Sequence, residues 1–499
     1  MRQLAFPMLA LVSAGLIYLG TARLAAAADA TENTPRQTRV DHTNTNTAAP
    51  AELCVEPAES FNGKTIAQWR AAGPEGLAEL IEQMRPTIDA YREAKTPKDL
   101  PVKSPDVSNK ALADLLLLDH VAQQRDAYSA GLYWYTDLGA AKQQAQRTGR
   151  PILSLRMLGE LVDEYSCANS RFFRTTLYAD ESVGKLMREQ FVLHWQSVRP
   201  VPVITVDMGD GRTIKRTITG NSAHYVLDPN GRVVDCLPGL YGPDTFERFI
   251  TQSGELAKRV KDADETAFVH AVRDLHAYQG AELDRAWARY MGVIHAQDEA
   301  DKPEQDTRQI ALRTHENNDN RPKMPNAMEA GRIAFAGKMV VERPLVRAVM
   351  PNAPTASEAA DDMALWRRVA EAYKEEARLD EGSRQLMAIK APRESMQDAL
   401  NRAISKRRVE SPLARMVRNF EQGVAIETAR NEHLLRRQLH DWFAKAEAPL
   451  ELDALNKRVY ADLFLTPDED PWLGLVPADT YSALDGGGLL GVNHQSAGR

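Results

Sequence analysis

The sequence predicts an α/β domain set between two mostly α-helical regions. Three observations carry that expectation. Between residues 131 and 260, short apolar runs and helical patterns follow the order β-α-β-α-β, then a hairpin, then α. On the N-terminal side, apolar residues recur at the three- and four-residue spacing of a helix, as in Leu77, Leu80, Ile81 and Met84. In the second half Ala, Arg, Glu and Leu dominate, and these are good helix formers. Strands and helices mixed in this order imply a central sheet with helices on both faces.

Composition narrows the classes. The chain has 499 residues, of which 43% are hydrophobic and 26% charged. Those values exclude a wholly disordered, collagen-like or multi-span membrane chain. The net charge of −7 supplies no positive field, so no nucleic-acid partner is expected.

The elements are justified in order. Arg2, the apolar run Leu4 to Gly20 and the small residues Ala25 to Ala28 form the pattern of a secretory signal over 1–28. An uncleaved anchor is the other reading, and without it no integral membrane domain is expected. Export places the mature chain in a periplasmic or extracellular space. Residues 29–52 are polar, rich in Thr and Asn, and read as a disordered linker. Residues 53–130 read as helical, with Leu112, Leu115, Leu116, Leu118 and Val121 marking a second helix. Within 131–260, strands are expected at Leu132–Trp134, Pro151–Met157 and Phe191–Trp195, and Asp137 caps a helix. Ala223–Leu227 and Arg232–Asp235 flank the turn Asp228-Pro229-Asn230-Gly231. Phe246, Phe249 and Ile250 open the last helix of this domain. From 261 to 499 the chain reads as mainly helical, with breaks near 300–325 and 351–361 and helices over 362–379, 394–408 and 426–446. The basic residues between Arg402 and Arg437 could form a polyanion-binding face, but the interspersed Glu410, Glu421, Glu427 and Glu432 favour a solvated helical face, which is the expectation here.

The middle domain resembles the thioredoxin-like superfamily. The resemblance rests on Trp134-x-x-Asp137 before an Ala-rich helix, on Gly149-Arg150-Pro151-Ile152-Leu153, on Cys167-Ala168-Asn169-Ser170 at a helix start, and on the Phe191-Val192 strand and Asn230-Gly231 hairpin. It implies a thioredoxin-like domain over 131–260 and a reactive cysteine at Cys167. The chain departs from the family in three places. Ser170 stands where the resolving cysteine would be. Gly220-Asn221-Ser222-Ala223-His224 holds no proline where the family has its cis-proline. The loop between Met157 and Cys167 is long and acidic.

Candidate site residues follow. Cys167 and Ser170 are the catalytic candidates, because a helix N-terminus favours a thiolate. A lone thiol can form a mixed disulfide but cannot release itself through a second one. Ala223 and His224 are the candidates for a substrate groove. His224 is open to three readings: a neighbour that tunes the thiol, a partner in a metal site, or an ordinary buried or surface histidine. Two ligands are too few for a closed zinc site, so no metal is expected, and no cofactor. Cys236 is expected in the sheet, too distant from Cys167 for a disulfide. Cys54, beside the linker, is the thiol expected to be exposed or intermolecular.

The resulting expectation is an exported thioredoxin-fold protein serving as a binding or assembly module. Its partner is an unidentified protein, held through a mixed disulfide if Cys167 reacts. The alternative is a thiol-disulfide oxidoreductase or isomerase working through Cys167.

Overall fold

The computed structural model describes residues 55–95, 108–210, 213–217, 220–300, 359–390 and 412–468. The expected signal, linker, Cys54, helix over 394–408 and break near 300–325 lie outside the described residues, as do all but the last three positions of the break near 351–361.

An N-terminal layer comes first. A two-residue pair, β1 (Ser60–Phe61) and β2 (Lys64–Thr65), leads into α1 (Ile66–Ala71), α2 (Gly73–Lys95) and α3 (Asn109–Ala122). Thr65 and Gln68 form a reciprocal capping box on α1. Leu77, Leu80, Met84, Leu115, Leu118 and Val121 are buried together with Trp69, as the helical spacing requires.

The sheet follows. Its strands are β3 (Trp134–Tyr135), β4 (Ile152–Leu158), β5 (Val192–Arg199), β8 (Ser222–Leu227) and β9 (Val233–Pro238). Between them lie α4 (Leu138–Thr148), α5 (Ala168–Phe172), α6 (Glu181–Gln190) and an unexpected hairpin of β6 (Val203–Asp207) and β7 (Thr213–Thr217). The spatial order is β3-β5-β4-β8-β9. β3, β5 and β4 run parallel, whereas β8 and β9 are antiparallel to their neighbours. β4 is buried along its whole length, so it reads in sequence as a continuous apolar run broken by Ser154 and Arg156. Asp137 caps α4 by accepting from the Ala140 amide. The turn into β9 needs Gly231 at φ +88°, a left-handed conformation natural to glycine.

The helical layer after the sheet consists of α7 (Pro243–Val260), α8 (Glu265–Ala300), α9 (Ala359–Ala370), α10 (Glu381–Lys390), α11 (Pro412–Arg430), α12 (Arg437–Ala444) and α13 (Leu452–Arg458). π-helical turns occupy Phe173–Leu177, Asn431–Arg436 and Val459–Leu463. The expected helix over 426–446 is thus two helices joined through a π turn. No helix among the described residues is long and apolar enough to cross a membrane.

The expected solvated basic face needs correction. Arg430 and Arg436 are buried, and Arg436 reaches the sheet to pair with Asp235. The reason is the π turn, which carries Arg436 inward against β9. The part of that run before residue 412 lies outside the described residues.

Candidate functional site

Both faces of the sheet are covered. Leu155 and His224 are register partners and share one face, where Phe173, Tyr178 and Phe246 pack on His224. Ser154, Arg156 and Tyr225 lie on the other face. The chain crosses from β5 to β8 through the β6–β7 hairpin, with no helix among the described residues between, and the C-terminal segment supplies cover to this face. Tyr225 donates to Asn456 Oδ1 at 3.1 Å, and Arg156 pairs with Asp453 at 3.1 Å.

Cys167 lies at the end of the loop that follows β4, where α5 begins. It is the N-cap of α5, and the Ser170 amide donates to its sulfur at 3.4 Å. The Ser170 hydroxyl donates to the Cys167 carbonyl at 2.8 Å, so Ser170 closes the first turn and offers its hydroxyl to backbone, not to the thiol. The expected catalytic pair is therefore adjacent, and both side chains are fully buried.

The chain before β8 presses onto this turn. A Cβ at Gly220 would lie 2.7 Å from Asn169 Oδ1 and 3.0 Å from the Asn169 nitrogen, so the approach requires glycine. Asn169 Nδ2 donates to Ser222 Oγ at 2.8 Å, and Thr217 donates to the Ser166 carbonyl at 3.2 Å. This is the place where the resemblance expects a proline; the described residues hold no cis peptide.

The end of the described chain closes the same corner. Tyr460 donates to the Asn221 carbonyl at 3.0 Å, and Asn221 Nδ2 donates to Thr466 at 3.0 Å. Arg199 donates to the Thr466 carbonyl at 2.8 Å. Leu452, Leu455, Val459, Tyr460, Leu463 and Phe464 are buried in the same core as Cys167. Burial chiefly raises the Tyr460 and Tyr178 phenols.

Ala223 and His224, the groove candidates, are on β8 and buried. His224 Nε2 is 2.6 Å from the Tyr178 hydroxyl, so its partner there is a phenol and not the thiol. Burial pushes His224 down to about 3, which keeps the ring neutral. Cys236 lies on β9, and burial followed by the Asp235 charge pushes its thiol well up. Cys167 and Cys236 are both free. Among the described residues no group of three or more His, Cys, Asp or Glu side chains is placed to hold a metal.

One further pair has the residue types of a catalytic dyad. Ser154 Oγ is 2.8 Å from His194 Nδ1, across neighbouring strands. Both are buried, and burial followed by the Arg156 charge lowers His194 to about 3. With both side chains fully buried, the pair lies out of reach of a substrate arriving from solvent. The sequence carries no signal for Tyr178, Tyr460 or Thr466 at this site, because they come from 11, 293 and 299 positions beyond Cys167 with no shared motif. Comparison of the chain with family models, with curated proteins and with solved structures finds no match.

Proposed function

We propose that this chain is an exported binding or assembly module built on a thioredoxin-like domain, in which Cys167 packs the core and performs no thiol chemistry. The strand order and directions support the thioredoxin-like reading, since an N-terminal parallel β-α-β half and a C-terminal antiparallel hairpin share one sheet. One observation carries the functional reading: the Cys167 side chain has no exposed surface, and residues 452–466 of the same chain fill the corner where a substrate would approach. A thiol must reach its target disulfide for in-line attack, so a sealed thiol is inert.

The test is thiol-disulfide exchange by the folded chain. Insulin reduction at background level, and no glutathione mixed disulfide at Cys167, are the expected results. Turnover, or a stable adduct mapped to Cys167 in the folded chain, would replace this reading with the second. That second reading is monothiol exchange through Cys167, and it is favoured by the Ser170 amide aimed at the sulfur.

A further inference from the structure

The β6–β7 hairpin stands apart from the central sheet. Its strands pair with each other, from Val203 with Thr217 to Asp207 with Thr213, and with no other strand among the described residues. Of the five large hydrophobic side chains that stand exposed among the described residues, three lie in this one stretch: Val203 at 47%, Val206 at 45% and Met208 at 50%. Single exposed apolar side chains are ordinary, but a run of them forms a patch that another surface normally covers. Strand alternation puts Ile204 and Val206 on one face of β6, and Met208 follows them past the strand's end. Pro200 and Pro202 occupy the stretch leading into β6. Proline has no N–H to offer a new strand, so this approach is guarded against edge pairing, and the side-chain face is what the hairpin presents.

The described chain ends at the neck of this hairpin. Arg199, the last residue of β5, donates to the Thr466 carbonyl at 2.8 Å and to the Pro467 carbonyl at 3.2 Å. Asn221, between β7 and β8, donates through Nδ2 to the Thr466 hydroxyl at 3.0 Å. Thr466 therefore holds both legs of the hairpin. After Asp468 the sequence continues Glu469-Asp470-Pro471-Trp472-Leu473-Gly474-Leu475-Val476-Pro477, a short apolar stretch between prolines that lies outside the described residues.

Reach, charge and continuity select this stretch as the occupant of the patch. Val203–Met208 lie four to nine positions beyond Arg199, and Trp472–Val476 lie five to nine beyond Pro467, which Arg199 holds. Two extended stretches leaving one neck at about 3.4 Å per residue come level with each other. Glu469 and Asp470 leave the neck first, and β7 carries Lys215 and Arg216 beside its neck end, Arg216 being the register partner of Ile204. Asp468 already pairs with Lys457 at 3.7 Å. Residues 452–466 cover the Cys167 corner, so the same chain extends an existing contact outward. A tethered segment also meets the patch at an effective concentration on the order of millimolar, which a separate partner must outcompete.

We propose that the face of the β6–β7 hairpin carrying Ile204, Val206 and Met208 is a docking surface for the Trp472–Val476 segment of the same chain. The hairpin is then a clasp: it secures the chain that covers the Cys167 corner at a point beyond Thr466. The inference stands whether or not Cys167 reacts.

Hydroxyl-radical footprinting of the full chain, read by peptide mass at Met208 and Trp472, tests this. In dilute wild type both side chains are expected to oxidise at least about fivefold more slowly than in the urea-unfolded chain, because oxidation follows exposure. Trp472→Ser is expected to raise Met208 oxidation about threefold or more, and Val206→Asp to raise Trp472 oxidation by a similar factor. Trp69, buried in the N-terminal layer, should stay unchanged in both variants and so reports that each remains folded. Fast oxidation of Met208 or Trp472 in wild type would overturn the inference. So would protection of Met208 that persists in Trp472→Ser, or protection of Trp472 that persists in Val206→Asp. Protection of Met208 that appears only as protein concentration rises would overturn it too, and would assign the face to a second copy of the chain.

Discussion

The two ends of the central sheet's chemistry are built on opposite plans. Around Cys167 the sulfur's own hydrogen bond is local, from the Ser170 amide of the next turn, and the lid from residues 452–464 is a set of core side chains fastened by uncharged hydrogen bonds such as Tyr460 to Asn221. Around Asp235 the contacts are long in sequence and charged. Arg436 reaches that carboxylate from 201 positions away. The difference teaches where the chain places its electrostatic stakes. A thiol site normally keeps charge and access near the sulfur. Here charge and hydrogen-bond specificity are concentrated where the helical layer meets β9, which suits a chain whose task is to hold parts together.

The largest expected effect comes from breaking the charged end. Burial alone would push the Asp235 carboxyl up, yet Arg436, with His276, holds it below the ordinary range. Arg436→Met leaves that carboxylate buried without its cation, and should cost about 3–5 kcal/mol in denaturant unfolding. Adding Asp235→Asn should restore a large part of the loss, because an unpaired buried charge is the main penalty. A double variant as unstable as the single one would show that Arg436 acts through packing instead.

Acid sharpens the comparison next. His194 and His224 at about 3, and His433 at about 4, are lowered by burial. Their folded values lie below the unfolded value of about 6.5, so the unfolded chain binds more protons between those limits. Stability is therefore full above about pH 6.5 and falls as pH drops, by about 1.4 kcal/mol per pH unit for each such histidine. Asp119 works in the opposite sense: burial raises it to about 7, so its folded form takes a proton first. Urea midpoints measured between about pH 7.5 and about pH 5 should fall steeply. A flat profile would mean that these rings are hydrated in solution.

At the apolar end the effects are smaller. Gly220→Ala drives a Cβ into Asn169 and should cost about 1–3 kcal/mol, the range of overpacking, read from the same unfolding midpoints. It should also speed labelling of Cys167 by loosening the turn above it. Ser170→Ala removes one hydrogen bond to the Cys167 carbonyl and should cost about 0.5–1.5 kcal/mol. A larger loss would point to a role for the hydroxyl beyond closing the turn.

Much of the sheet is legible in the sequence. β4 and β8 stand out as apolar runs, Asp137 and Cys167 sit at helix starts, and Gly231 marks the turn into β9. Local physics sets these features, and a sequence displays local physics. The β6–β7 hairpin is less visible, since Val203, Val206 and Met208 remain exposed and the expected alternation of buried and exposed residues is absent. The cover over the Cys167 corner is invisible for a different reason. Tyr460 and Thr466 meet Asn221 only because the chain returns after more than two hundred residues. Arg436 misleads outright: a basic residue among glutamates has the pattern of a solvated face, and only the π turn carries it into the core.

The central claim is that Cys167 is sealed by its own chain. The direct measurement is the rate of maleimide labelling at Cys167 in a Cys54→Ser background, followed across a urea series and assigned by peptide mass. The account predicts that Cys167 and Cys236 label together, at a rate that tracks global unfolding and vanishes in the absence of denaturant. Rapid labelling of Cys167 in native buffer, with Cys236 still protected, would contradict it and return the thiol to chemistry.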